Sequence, residues 1–457
     1  MRDIALVLGM LFYLPMSLRL PAAGTICWAW FSIMSPHRQV YGFTYGQPLN
    51  SIIAVATIIG WLAAREPKRF PPDATPWLLL ALVAWMTINT PFGAAPDIAW
   101  VLWDRNIRLY ALVFMVFLTC TTKARIHGMI LVLVMSLGFY GVKGGVFTVL
   151  SGGHSIVYGP ESTIYNDNND LALAVVTELP LVYYIIQHSR ALWLRVPAII
   201  AMMLQVVMVF GSYSRGGVLA LGLMLSILWL RSDRKILYGL LAAVVVVGGL
   251  SLMPESFFDR LHSVNNLDSD ESFQGRVAAW QVAFMYATDH FPFGAGFSGA
   301  QRFEVFNHYL PGAAAHAAHS IYFETLGDHG FIGLALFLAL LLLPLRSAGI
   351  VRRQTRDNPD LRWAYDLADM IRVSLLSFYF GGAALSMSYS DVYLILIALM
   401  ANLRHLTNPA TIAEASKSHG QRLSFGGAAR PAPPAALPGA VAGAAPGRQM
   451  SPYEPRA

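Results

Sequence analysis

Residues 192–230 read LWLRVPAIIAMMLQVVMVFGSYSRGGVLALGLMLSILWL. Two apolar runs flank the polar turn SYSRGG at 212–217, and each run approaches the ~20 residues that a helix needs to cross a bilayer. The turn between two such helices lies at a membrane face. The stretch therefore predicts an integral membrane protein that carries polar chemistry where two spanning helices meet.

The composition extends this prediction to most of the chain. Of 457 residues, 56% are hydrophobic and 13% are charged, against roughly 25% charged in soluble domains. The net charge of +6 is spread over short clusters, a pattern typical of membrane loops rather than of a nucleic-acid-binding face. Cys27 and Cys120 lie inside apolar runs, which excludes a disulfide framework and a CxxC metal site.

Thirteen apolar segments recur along the chain, and the composition of each favours a helix. The first two are expected to form one broken or re-entrant element without a cleavable signal peptide. The sequence therefore predicts an all-α membrane protein with about 12 transmembrane helices. The segments are 4–20, 22–35, 49–64, 76–91, 106–121, 126–150, 170–187, 193–212, 216–230, 236–252, 330–348, 370–387 and 389–403.

Basic clusters set the orientation, because cytoplasmic loops of membrane proteins carry an excess of Lys and Arg. Five clusters fall on one side of the predicted spans, and both termini are expected on that cytoplasmic side. A large loop, 253–329, is predicted to face the periplasm and to contain short helices. The basic clusters are Arg65, Lys68 and Arg69; Lys123 and Arg125; Arg190 and Arg195; Arg231, Arg234 and Lys235; and Arg346, Arg352, Arg353, Arg356 and Arg362.

The C-terminal part of the chain differs in composition from the rest. Residues 406–457 are rich in Ala, Pro and Gly, a composition that cannot bury a core. We expect a polytopic membrane domain over 1–405 and a disordered cytoplasmic tail over 406–457.

Arg215 lies in the outer turn between two predicted spans. Two glycines follow it and Ser212 and Ser214 precede it, so that backbone, hydroxyl and guanidinium groups could surround an anion. A snorkelling arginine at a helix end is the simpler alternative.

Two more arginines, Arg260 and Arg276, lie in the large outer loop. Apolar residues recur at helical spacing after Arg276, which predicts an amphipathic helix that Arg276 opens. An anion at this helix N-terminus would meet the guanidinium and free backbone N–H groups. A loop ion pair with Asp268, Asp270 or Glu271 is the alternative. The Gly-x-Gly at 294–296 is expected to be a turn.

His319 precedes the next apolar span and shares a helical face with Tyr322, Phe323 and Leu326. Its ordinary pKa near 6.5 suits a general base. Two alternatives remain: a structural, hydrogen-bonded histidine, and a metal pair with His316, for which no third ligand stands at a familiar spacing.

A dense polar patch, YNDNNDLAL at 165–173, opens another span on the outer side. Asn and Asp are good helix caps, so a helix start is the expected role. Amides and carboxylates also suit sugar hydroxyls, which leaves carbohydrate binding open.

The predicted topology brings Arg215, Arg276 and His319 to the same outer face. Two cations and one base beside lipid suit a lipid-linked diphosphate donor and a hydroxyl acceptor. No metal, cofactor or nucleic acid is expected, and membrane lipids are the expected surroundings.

Two sets of motifs carry a family resemblance over about residues 50–403. The SxSRGG stretch at 212–217, the outer loop with Gly275–Arg276, and HSxYxExLGxxGxxGL from His319 resemble the O-antigen ligase/polymerase superfamily of bacterial membrane glycosyltransferases. SPHRQVYGF at 35–43 and WLAAREPKRF at 61–70 resemble its exosortase-associated O-glycosylation ligase branch.

The resemblance implies a GT-C-like fold in the bacterial inner membrane with its active site facing the periplasm. It implies inverting, metal-independent transfer of a glycan from undecaprenyl diphosphate to an acceptor hydroxyl, most simply that of lipid A-core oligosaccharide. Arg215 and Arg276 match the arginines that hold the diphosphate, His319 matches the essential histidine, and Arg260 has no secure match.

Other functions fit parts of the same pattern. Polysaccharide polymerases and protein O-oligosaccharyltransferases of the superfamily use the same donor chemistry with a different acceptor. A polysaccharide or lipid transporter is the alternative outside this class, although transporters often show internal repeats and mid-membrane charges, whereas the unusual charges here gather at one face.

Overall fold

The computed structural model of the chain describes residues 2–251, 253–255 and 271–413. The protein is 76% helix, without strands in these ranges, which confirms the predicted all-α class. Arg260 and the predicted tail from residue 414 onward lie outside the described residues. The described α-helices are α1 Arg2–Arg19, α2 Pro21–Ile33, α3 Leu49–Ala63, α4 Thr75–Asn89, α5 Pro96–Thr119, α6 Lys123–Leu150, α7 Asn168–His188, α8 Leu192–Gly211, α9 Arg215–Arg231, α10 Lys235–Ser251, α11 Glu271–Asp289, α12 Phe303–Tyr309, α13 Ile321–Thr355, α14 Arg362–Gly381 and α15 Asp391–Leu406.

Each of the thirteen predicted apolar segments overlaps one of these helices. Five helical stretches are by themselves long and apolar enough to cross a membrane, and the chain is a multi-pass membrane protein. The count of about 12 spans stays a prediction. The five stretches are Thr75–Phe92, Lys123–Leu150, Asn168–His188, Leu192–Gly211 and Ile321–Thr355.

The first two helices form a hairpin. Proline has no backbone N–H and occupies the first position of a helix readily, and Pro21 starts α2 directly after Leu20. The rings of Tyr13 and Trp30 then meet at 5.6 Å between centroids, which requires the two helices to lie side by side in opposite directions.

The hairpin brings the N-terminus next to the segment that follows α2, while the membrane side of the N-terminus stays a prediction. Asp3, at the start of α1, accepts hydrogen bonds from Thr44, which follows α2. The start of α1 and the 36–48 segment therefore share one end of the hairpin, whereas a single broken span would put them on opposite sides. The two apolar segments 4–20 and 22–35 predicted a break near residue 20. They did not predict that the chain reverses direction there.

Helices α6 and α8 pack closely through glycines, as membrane helices commonly do. A Cβ on Gly145 would lie 2.0 Å from the Leu204 carbonyl oxygen, and one on Gly141 would lie 2.6 Å from Gln205 Cγ. Only glycine permits this approach, which sets the position of the α8 C-terminus and of the turn that follows it.

Helix α13 is broken at Gly330, whose φ of 67° and ψ of −171° are not helical. A side chain there would collide with the Pro292 carbonyl oxygen, since a Cβ would lie 2.5 Å away. The break separates Ile321–His329 from the longer apolar part that follows. The predicted span 330–348 falls within that second part, and the first part carries polar residues.

The segment 293–297, FGAGF, fixes the first part of α13. Ala295 N–H donates to the Gly327 carbonyl at 2.7 Å and Gly296 N–H donates to the Asp328 carbonyl at 2.9 Å. A Cβ on Gly294 would lie 2.4 Å from His329 N, so glycine is required for this contact. The Gly-x-Gly expected as an ordinary turn thus holds an irregular segment against the helix.

Candidate functional site

The turn between α8 and α9 is a compact, hydrogen-bonded structure. Ser214 caps α9, its Oγ accepting from Gly217 N–H at 3.0 Å. Tyr213 adopts a left-handed φ of 57°, and its hydroxyl donates to the Gly153 carbonyl at 2.7 Å. Positive φ is uncommon outside glycine and is stabilised here by these contacts. Arg215 therefore begins α9 from a rigid turn.

The polar patch at 165–173 starts α7, as predicted. Asp167 is the N-cap and accepts from Asn169 N–H at 2.8 Å. Asn168 Nδ2 donates to the Ser212 carbonyl at 2.6 Å, which joins this helix start to the turn before α9. The N-termini of α7 and α9 consequently lie next to each other.

Arg276 reaches the same place from α11. The sequence predicts that Arg276 opens this helix. That prediction is wrong, because α11 is helical from Glu271 onward and Arg276 lies in its second turn. Its Nη1 donates to the Ala384 carbonyl at 3.2 Å, in the connection between α14 and α15. The predicted helix after Arg276 is confirmed.

The start of α7, the α8–α9 turn, α11 and the connection between α14 and α15 enclose a cavity of about 130 Å³, named here the anion cavity. Both arginines are half-buried, and the N-terminal ends of α7 and α9 add the partial positive charge of their helix dipoles. Guanidinium groups and helix N-termini are the groups that bind phosphate. The lining consists of Asn168, Asn169, Tyr213, Arg215, Gly216, Arg276, Ala384 and Leu385.

His319 stands beside the anion cavity rather than in its lining. Trp280 of α11 donates to the Ala318 carbonyl at 2.7 Å, and Trp280 stacks on Phe323 at 5.0 Å. The ring of His316 packs against Gly275, where a Cβ would lie 2.8 Å from it. These contacts hold the segment before α13 against the start of α11, which brings His319 close to Arg276.

The backbone and the charge around His319 are both unusual. Its φ of 42° lies in the left-handed region, and the residue stays exposed to solvent. Desolvation by neighbouring atoms, followed by the positive charge of Arg276, lowers the pKa of His319 below 6.5, while the Asp167 carboxylate opposes the shift. The lowered pKa favours the neutral imidazole, which is the form that can accept a proton, and the side chain is open to a substrate.

The connection 382–390, between α14 and α15, is the part of the site that sequence reasoning missed. Ala384 and Leu385 line the anion cavity. Ser386 lines two further cavities, of about 20 Å³ and about 190 Å³. In the sequence, the connection falls at the ends of the apolar segments 370–387 and 389–403. The sole sequence signal was a run of serines in SMSYS.

A buried polar network supports this connection. Tyr389 donates to Asp328 Oδ2 at 2.8 Å, and His329 Nε2 lies 2.8 Å from the Tyr389 hydroxyl. Asp328 Oδ1 accepts from Ser298 N–H at 2.9 Å. The network ties the first part of α13 to the segment at Ser298 and to the 382–390 connection, and its residues line both cavities that Ser386 borders.

Of the four arginine and histidine positions singled out in the sequence, Arg215 and Arg276 share one cavity and His319 adjoins it. Arg260 lies outside the described residues. Within the ranges that the structure describes, no group of three or more His, Cys, Asp or Glu side chains could hold a metal ion.

Comparisons with known families divide the chain into two parts. Residues 1–190 match a family of unknown function, DUF5935, and residues 198–338 match the O-antigen ligase family. No curated protein matches the chain. The second match contains Arg215, Arg276 and His319 together with the turns and helices that hold them. This O-antigen ligase domain at residues 198–338 supports membership of the O-antigen ligase superfamily.

Proposed function

We propose that the chain transfers a glycan en bloc from undecaprenyl diphosphate to a hydroxyl of lipid A-core oligosaccharide. The observation that carries the proposal is the anion cavity, where two arginines and two helix N-termini lie beside an exposed His319 whose pKa is lowered. A diphosphate fits that positive charge. Lipid access follows from the membrane helices around the cavity.

The reaction needs one proton transfer and one displacement. His319 takes the proton of the acceptor hydroxyl, and the oxygen of that hydroxyl bonds to the anomeric carbon of the donor glycan. The bond from that carbon to the diphosphate oxygen breaks, and the diphosphate leaves with the bonding electrons. Arg215 and Arg276 stabilise the charge that develops on it. Attack opposite the leaving group inverts the anomeric centre.

The proposed periplasmic location rests on the two ends of α9. Arg215 begins the helix at the anion cavity and Arg231 ends it in a basic cluster, about 25 Å away at the rise of an α-helix. Arg231 contacts Asp369 there. If the basic clusters are cytoplasmic, the anion cavity faces the periplasm of an inner-membrane, GT-C-like enzyme.

Purified protein given an undecaprenyl diphosphate-linked glycan is expected to glycosylate lipid A-core and to keep that activity in EDTA. The reason is that guanidinium groups, rather than a divalent cation, meet the diphosphate charge. Product size on gels measures the outcome, with a reaction lacking acceptor as the control. Loss of activity in EDTA that Mg²⁺ restores contradicts the metal-independent mechanism. A ladder of longer glycans without acceptor indicates a polymerase instead.

The pH dependence of transfer tests the environment of His319. A general base must be neutral to accept a proton, so transfer activity should fall as the pH drops through the lowered pKa of His319. In a plot of activity against pH, this fall (the acid limb) should lie below pH 6.5. Asp167→Asn removes a charge that raises this pKa and keeps a good helix cap. The acid limb of the variant should therefore move to lower pH. A profile identical to that of the unaltered protein would mean that another group controls it.

A further inference from the structure

We propose that the cavity of about 190 Å³ binds a sugar ring of the acceptor, and we name it the sugar cavity. The inference rests on the proposed function. The cavity lies between α5, the first part of α13 and the 382–390 connection. It is smaller than the roughly 300–1,000 Å³ of pockets for drug-sized ligands, which suits a single terminal sugar unit.

An unsatisfied amide points to a hydroxylated ligand. Asn106 lines the sugar cavity, is 9% exposed, and its side-chain amide makes no hydrogen bond to a residue that the structure describes. A buried amide without partners is costly. Its two donors and its acceptor oxygen match vicinal hydroxyl groups of a sugar.

The rest of the lining completes that chemistry. Glu324 uses Oε2 to accept from Ser388 N–H at 3.0 Å, which leaves Oε1 to accept from a ligand hydroxyl. Ser386 adds a hydroxyl. The rings of Phe297 and Tyr389, 5.2 Å apart, form an apolar wall for the C–H face of the ring. Arg105 also lines the cavity, so the lining combines one guanidinium with one carboxylate, a balance that suits an uncharged sugar ring better than a phosphate.

The position of the sugar cavity suits an acceptor. Glu324 and Ser386 also line the small cavity of about 20 Å³, which extends to His316 and Ala318 just before His319. Leu385, one residue before Ser386, faces the anion cavity. A sugar held here therefore lies next to the diphosphate site, with the 384–386 segment bordering both cavities.

Binding of free glucose, galactose and N-acetylglucosamine to the full-length protein in nanodiscs tests the assignment. Saturable binding is expected by saturation-transfer NMR. Asn106→Leu and Glu324→Gln should each weaken it about tenfold, the effect of losing one or two hydrogen bonds, with undecaprenyl diphosphate affinity unchanged. Arg108→Ala is the matched control, because Arg108 lies on α5 but pairs with the exposed Asp104.

Several outcomes overturn the proposal. Absence of saturable sugar binding, or equal binding by Asn106→Leu and Arg108→Ala, removes the site. Ser386→Ala supplies a third variant if Glu324→Gln melts early. A glycan-bearing donor that competes with free sugar, when bare undecaprenyl diphosphate does not, assigns the cavity to the donor sugar. That result contradicts the acceptor assignment. A protein that binds sugar but not undecaprenyl diphosphate contradicts the proposed function while the sugar cavity stands.

Discussion

Replacing His319 with alanine is expected to slow glycan transfer by about 10²-fold or more, the loss that follows removal of a positioned general base. The affinity for undecaprenyl diphosphate should change little, since Arg215 and Arg276 line the anion cavity and His319 does not. Transfer rate at saturating donor, donor affinity and melting temperature in detergent should be measured on the same preparation.

The control for this variant is His308→Ala, which replaces an exposed histidine on α12, between α11 and α13, and should leave the rate near normal. A purely structural role for His319 makes a different prediction: the variant would melt earlier or express poorly while its specific activity stayed close to that of the unaltered protein. A well-folded His319→Ala protein with near-normal turnover would end the assignment of His319 as the base.

Arg215→Lys should weaken donor binding by roughly 10- to 100-fold, the range expected for a lost charge-assisted hydrogen bond. Lysine keeps the positive charge but lacks the planar fork that grips two phosphate oxygens. Direct binding of undecaprenyl diphosphate measures the effect.

Arg302→Lys serves as the control for that substitution, since Arg302 pairs with the exposed Glu304 away from the anion cavity. Unchanged donor affinity in Arg215→Lys would show that charge alone suffices at this position. Unchanged affinity in Arg215→Ala as well would remove Arg215 from the binding site.

The fold was predictable to the extent that it depends on local apolar pattern. Long apolar runs between polar turns predicted where helices lie, and all thirteen overlap a helix. The direction of α1 could not be obtained this way. An apolar run has the same pattern whichever way the chain crosses, and the contact of Asp3 with Thr44 is a long-range one.

The charged residues of the site were predictable from the sequence, whereas the segment that contributes backbone groups was not. Arg215 and Arg276 stood out because charged groups at a membrane edge are expensive, and their shared side implied a shared cavity. The 382–390 connection contributes the Ala384 carbonyl and small side chains. Such groups leave almost no signature in composition or periodicity.

The fixed positive charge of the anion cavity has a consequence for turnover. When the glycan leaves, the diphosphate exchanges a sugar ester for a free, ionisable oxygen and becomes more negative than the donor was. Two guanidinium groups and two helix N-termini then hold the spent carrier more firmly than the incoming one. Under the proposed function, departure of the spent carrier therefore limits the steady-state rate, and undecaprenyl diphosphate acts as a product inhibitor that competes with its own glycosylated form.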